Sequence, residues 1–122
     1  MRYIKRFKRA LKAPRRICGL RNYADTNRFR DRGTKAIIKA LGCKEIWLTE
    51  TGGIYKFGRF NASTKRQLRA TKYMFKLARR YRRIKRLYVY TWFGAVTKRF
   101  DAGLVAHGKP RPAYREVKKR LR

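Results

Sequence analysis

The stretch Lys44-Glu45-Ile46-Trp47-Leu48-Thr49-Glu50-Thr51-Gly52-Gly53 decides the fold. Ile46, Trp47 and Leu48 form a short continuous apolar run with no helical period, the pattern of a strand buried on both faces of a parallel sheet. Such a strand implies helices on either side. Glu50 then falls at the strand's C-terminal end, where α/β sheets carry their chemistry, and Gly52-Gly53 lets the chain leave without covering it. The plainer reading of Glu50 is a solvated strand-end residue that starts a turn.

Upstream of this stretch, Arg16 to Leu20 reads as a strand through Ile17, Cys18 and Leu20. It leads into the polar run Arg21-Asn22-Tyr23-Ala24-Asp25, a second candidate site. Thr34 can cap a helix whose inner face is Ile37, Ile38 and Leu41, with Gly42 just past its end. Before all of these, Tyr3, Ile4, Phe7, Ala10 and Leu11 recur at helical spacing among Lys and Arg, and Pro14 stops that amphipathic helix.

Downstream, Ile54 to Ala62 reads as a loop carrying Tyr55, Phe57 and Phe60, long enough to fold over a site or pack under a helix. Thr64-Lys65-Arg66-Gln67 has capping-box spacing, and the long helix after it has a broad apolar face of Leu68, Ala70, Met74, Phe75, Leu77, Ala78 and Tyr81. Leu87 to Trp92 is a third strand, rich in β-formers. A connection through Phe100-Asp101-Ala102-Gly103 reaches a turn tip at His107-Gly108, and Pro112 opens a last helix that buries Ala113, Val117 and Leu121. His107 has no partner at metal or catalytic spacing.

Strands near 16–20, 45–50 and 86–92 thus alternate with helices, which predicts parallel pairing. The strand ends at Asn22-Tyr23, Glu50 and Trp92 would converge on one edge. A phenol can hold a carboxylate in one orientation while it stays ionised, and an indole offers a flat face to the C–H face of a pyranose. In a retaining glycosidase such a carboxylate is the nucleophile.

Composition bounds the rest. The 122 residues make one domain or part of one, with 37 Lys and Arg against six acids for a formal charge of +31 spread over the chain. Such a chain binds polyanions nonspecifically, whatever its fold. Met1 to Lys12 holds no apolar segment long enough for a signal peptide, and no membrane span is expected. Cys18 and Cys43 are too few and too far apart for a zinc site; two buried thiols are favoured over one disulfide. No metal or cofactor is implied.

The run from Ile46 to Gly53, then Leu87-Tyr88-Val89-Tyr90-Thr91-Trp92-Phe93-Gly94, then Phe100-Asp101-Ala102-Gly103-Leu104 and Gly108-Lys109-Pro110-Arg111-Pro112-Ala113-Tyr114, resembles the C-terminal part of retaining (β/α)8-barrel glycoside hydrolases, close to basic bacterial members of the cellulase-like superfamily. The resemblance runs from about Ile17 onward. It implies that residues 1–122 form a single C-terminal half-barrel-like fragment whose three strands match the sixth, seventh and eighth of the barrel. It also implies that Glu50 is the nucleophile, that Tyr23 is its hydrogen-bond partner with Asn22 beside it at the substrate, and that Trp92 is the sugar platform. Full-length relatives are expected to be secreted, and carbohydrate is the expected ligand.

Two departures matter. Arg21 stands where the family usually has His, and nothing matches the family's acid/base, a Glu following Asn at the end of the fourth strand. A full barrel needs about 250 residues. Retention needs two carboxyl groups about 5–5.5 Å apart, and Asp25 is the nearest candidate by placement. Little or no glycosidase activity is expected of the chain alone. Its open sheet favours self-association or pairing with a complementary barrel half. The alternative is a small basic nucleic-acid-binding protein, suggested by Arg79-Arg80-Tyr81-Arg82-Arg83 and Lys118-Lys119-Arg120 with aromatics between them.

Overall fold

A computed structural model describes residues 2–11, 14, 16–94 and 99–121; positions 95–98, in the connection after Gly94, lie outside them. Along the chain come α1 (Arg2–Ala10), β1 (Ile17–Arg21), α2 (Tyr23–Asn27), α3 (Arg32–Leu41), β2 (Glu45–Thr51), β3 (Lys56–Phe57) and α4 (Thr64–Arg80). There follow β4 (Ile84–Val89), β5 (Phe100–Asp101), β6 (Val105–Ala106), β7 (Lys109–Pro110) and α5 (Pro112–Arg120). β1, β2 and β4 form a parallel sheet with β2 in the middle. This is an α/β fragment in which parallel strands alternate with helices, as in part of a (β/α) barrel.

One face of that sheet is covered. Leu20, Ile46 and Leu48 are buried against Ile38 and Leu41 of α3, with Cys43 beneath and Ile84, Leu87 and Ala78 packed at the margin. α4 buries Ala70, Met74 and Leu77, and a second cluster joins Leu104 to Ala113 and Val117 of α5. Side chains alternate across a strand, so Trp47, Thr49, Arg86 and Tyr88 point to the other face. There Trp47 lies 6.3 Å from Tyr88 by ring centroids, takes the Arg86 guanidinium over its ring at 4.9 Å and donates Nε1–H to Glu45 at 3.3 Å. The expectation of a strand buried on both faces is therefore corrected. Among the described residues helices cover only one side, and Tyr88 and Thr49 remain exposed on the other.

Local signals hold with small shifts. The third strand begins at Ile84 and ends at Val89, short of Trp92, because the chain turns out of the sheet there. Tyr90 N–H still donates to Thr51 O at 2.8 Å, but Leu104 N–H then bonds the carbonyls of Thr91 and Trp92. Thr34 does not cap its helix; α3 starts earlier, after Asp31, and Thr34 donates both its N–H and its hydroxyl to the buried Asp25 carboxylate. The capping box at Thr64 gives way to Ser63, whose Oγ accepts from Arg66 N–H at 3.1 Å. The Ile54–Ala62 segment is more than a loop, since β3 within it pairs antiparallel with β5. Pro112 opens α5, and His107 sits in the β6–β7 turn with φ of 49°. Cys18 and Cys43 are joined, not free: parallel pairing sets Cys18 opposite Ile46, which brings the two Cα atoms to 6.0 Å, a span a disulfide bridges.

Among the described residues, no helix is long and apolar enough to cross a membrane.

Candidate active site at the strand ends

Three parallel strands end on one rim: Arg21 closes β1, Glu50 and Thr51 close β2, and Val89 closes β4. A register shift between Leu20 and Arg21 sets Arg21 opposite Glu50. The two ion-pair, Arg21 Nε to Glu50 Oε2 at 3.3 Å, with 72% and 27% of the respective side chains exposed. Tyr23, the first residue of α2, donates its hydroxyl to Glu50 Oε1 at 3.2 Å. Each carboxylate oxygen thus has its own donor. Burial and then the adjacent Glu50 charge push the Tyr23 phenol well above its ordinary value, so it stays protonated and donating. Its ring stands edge-on to Tyr90 and Phe100, with centroids at 6.5 and 5.8 Å.

Gly52 is demanded by packing as well as by the turn. A Cβ there would sit 2.3 Å from Tyr90 O, and one on Gly53 2.3 Å from Gln67 O. The two glycines let β2's exit lie flat against β4's exit and α4. Asn27 stitches the same corner, donating Nδ2–H to Gly52 O at 2.9 Å and accepting from Ile54 N–H at 2.8 Å.

The other expected site residues have contacts of their own. Asn22 is buried, its amide donating to Thr34 Oγ1 at 3.5 Å and accepting from Thr26 Oγ1 at 3.4 Å. Its side chain ties the start of α2 to α3. Trp92 packs edge-on against Tyr114 of α5 at 5.4 Å and is 52% exposed. From the exit of the third strand, Tyr90 is a ring that meets Tyr23. Strand alternation through Tyr88 and Tyr90 could have pointed to it, and the basic residue ending β1 could have pointed to the Arg21–Glu50 pair.

The other five carboxylates all have partners of their own. Asp25 accepts from Thr34 and Arg30, Asp31 from Arg80 and Tyr81, and Glu45 from Trp47. Asp101 is held by both guanidinium nitrogens of Arg111, at 2.9 and 2.7 Å, and Glu116 by Arg120. Asp25, the nearest candidate by placement, is thereby a structural residue that organises the start of α3. Among the described residues, no group of three or more His, Cys, Asp or Glu is placed to hold a metal. The rim offers one oriented carboxylate, able to stabilise positive charge or attack an electrophilic carbon.

No family model and no curated protein matches the chain. Solved structures do. The β-glucuronidase of Ruminococcus gnavus in complex with N1-substituted uronic isofagomine superposes with a TM-score of 0.62 at 15% identity, over 85% of this chain and 22% of that one. Its complex with D-glucaro 1,5-lactone and its apo form, both at TM-score 0.62, match over the same shares at the same identity. The fold is that of part of a glycosidase barrel. The chain spans about a fifth of the length of these neighbours.

Proposed function

We propose that this chain is a glycoside hydrolase-like barrel fragment in which Glu50 is the nucleophilic carboxylate, inactive until a complementary part of a barrel supplies the acid/base. The observation that carries this reading is the position of Glu50 on the C-terminal rim of a parallel sheet, with Tyr23 on one oxygen and Arg21 on the other. In a parallel α/β barrel that rim is where catalytic groups lie. The phenol and the guanidinium each hold one oxygen of the nucleophile, which fixes its orientation. Carbohydrate is the expected ligand, in keeping with neighbours solved with sugar-like ligands. Trp92, half exposed and braced edge-on by Tyr114, is the proposed sugar platform; Tyr90 is beside Tyr23. Asn22 contributes by holding α2, and so Tyr23, in place.

Turnover by the chain alone is expected to be absent, because among the described residues the other five carboxylates are engaged in contacts of their own. General acid catalysis alone contributes about 10²–10⁴-fold. The uncovered sheet face and the two free strand edges give the complementary half, or a second copy, a surface to meet.

The test is chemical. The chain is refolded with a separately produced barrel half carrying the first five βα units and an Asn-Glu strand end, then treated with a 2-deoxy-2-fluoro glycoside bearing a good leaving group. The expected result is one covalent sugar on the peptide containing Glu50, and none with Glu50→Gln. Equal labelling of the Gln variant would end the nucleophile assignment. The alternative, a basic nucleic-acid-binding protein, is favoured by charge alone. Tight RNA binding with a steep salt dependence that Glu50→Gln and Tyr23→Phe leave untouched, together with no labelling, would favour it.

A further inference from the structure

Beside the rim, and not including Glu50, lies a cavity of about 490 Å³ between α2 and the segment that follows β2. Its walls are the rings of Tyr23, Phe57, Phe60 and Phe100, with Ile54 among them, and two guanidinium groups, Arg28 and Arg66, stand at it. No carboxylate lines it. Phe57 and Phe60 of the Ile54–Ala62 stretch lie here, and the chemistry at the rim makes no use of them.

The walls are built before any ligand arrives. β3 and β5 pair Phe57 with Phe100 across an antiparallel ladder, and their rings stand edge-on at 6.0 Å. Phe60 N–H bonds Phe57 O at 3.0 Å, closing a turn at Gly58, whose φ of 54° suits glycine. Arg66 donates Nη2–H to the carbonyls of Tyr55 and Asn61, both at 3.0 Å, and lies over the Phe60 ring at 5.8 Å. Its guanidinium is therefore occupied in holding the loop onto α4. Arg28 differs. It is exposed, and among the described residues no hydrogen bond or ion pair engages its guanidinium.

Flat aromatic walls, an uncommitted cation at the mouth and the absence of acids define a ligand class. We infer that this cavity is a binding site for a planar aromatic acid, its ring system held edge-to-face among Phe57, Phe60, Phe100 and Tyr23 and its carboxylate paired with Arg28. The volume lies in the range of small-molecule sites. Rings in such pockets favour edge-to-face or offset contact over face-to-face stacking. Tyr23 joins the cavity to the rim, since its ring forms the wall while its hydroxyl holds Glu50. The inference does not depend on what Glu50 does.

The experiment uses the whole chain in salt of about 0.15 M, which shortens the reach of its charge to about 8 Å. 2-Naphthoate, the neutral 2-naphthalenemethanol and acetate are titrated while side-chain resonances are followed by NMR. Saturable binding of naphthoate is expected, with shifts concentrated on the rings of Phe57, Phe60 and Phe100 and on Arg28 Nε. Arg28→Gln weakens naphthoate about two- to fivefold and leaves the neutral alcohol unchanged, as for one exposed ion pair. Phe57→Ala weakens both aromatics about fivefold. Ala24→Trp, which fills the cavity from an exposed helical position, abolishes saturable binding while the sheet's resonances stay in place. Acetate gives no saturation. Shifts scattered over the basic surface, or naphthoate binding undiminished in both Ala24→Trp and Phe57→Ala, would overturn the site. Equal affinity for the acid and the alcohol would overturn its preference for an anion.

Discussion

The two faces of the three-stranded sheet share one backbone and differ in everything else. On one, Leu20, Ile46 and Leu48 are closed in by α3 and the side chains around it; on the other, Trp47 lies against Arg86 and Tyr88, with no helix over them among the described residues. The first face holds the fold together and the second is held together by it. α1 repeats the contrast on a smaller scale. Ile4 reaches the core, while Tyr3 stacks on Phe7 and remains 77% exposed.

The sharpest way to break the comparison is to truncate matched positions on the two faces. Leu48→Ala removes a fully buried side chain and is expected to cost about 2–5 kcal/mol. Trp47→Ala, one residue away, loses an aromatic contact and a cation–π contact and should cost only about 1–2 kcal/mol. Urea unfolding of the two variants reads the difference, and equal costs would mean that the open face is also core. Next in size is the disulfide behind the covered face. Reducing Cys18–Cys43, whose partners are 25 positions apart in sequence, should lower stability by about 3 kcal/mol through the freed unfolded chain, measured in urea with and without reductant. Gly52→Ala places a methyl against Tyr90 O and should cost about 1–3 kcal/mol as the β2 and β4 exits are pushed apart. It should also displace the Tyr90 ring resonances.

The smallest effect concerns the edge of the covered side. Burial and the hydrogen bond to Asp31 push the Tyr81 phenol up to about 12, against about 10 in the unfolded chain. Folding therefore holds that proton more tightly. The contribution is complete below pH about 10 and is lost as pH rises through about 12. Tyr81→Phe should remove this extra loss of stability between the two pH values, and the tyrosinate absorbance of the parent chain should appear correspondingly late.

How much could be read from residues alone follows the same division. Strand order, parallel pairing, the final helix and the turn at His107 were legible because apolar period and Pro or Gly placement act locally. Glu50 and Tyr23 were legible as neighbours because parallel strands end together. Trp47 misled, since a run of Ile, Trp and Leu looks the same whether helices cover one face or two. Trp92 misled because strand period was extended past Val89, where the chain already bends toward Leu104. Asn22 and Asp25 read as rim groups and turned out to tie helices together; a short polar side chain after a strand can point either way, and Thr34 decided it. The disulfide depends on the register of β1 against β2, a tertiary quantity without local signature.

The occupation of all six carboxylates has a consequence for the solution around the molecule. Every acid already has a partner inside the fold, so the formal excess of 31 positive charges finds its counterions only in the buffer. The protein carries an atmosphere of mobile anions as DNA carries one of cations, and part of its resistance to unfolding belongs to that atmosphere. Raising ionic strength compresses the atmosphere onto the surface and should make this chain harder to unfold, against the usual weakening of surface ion pairs.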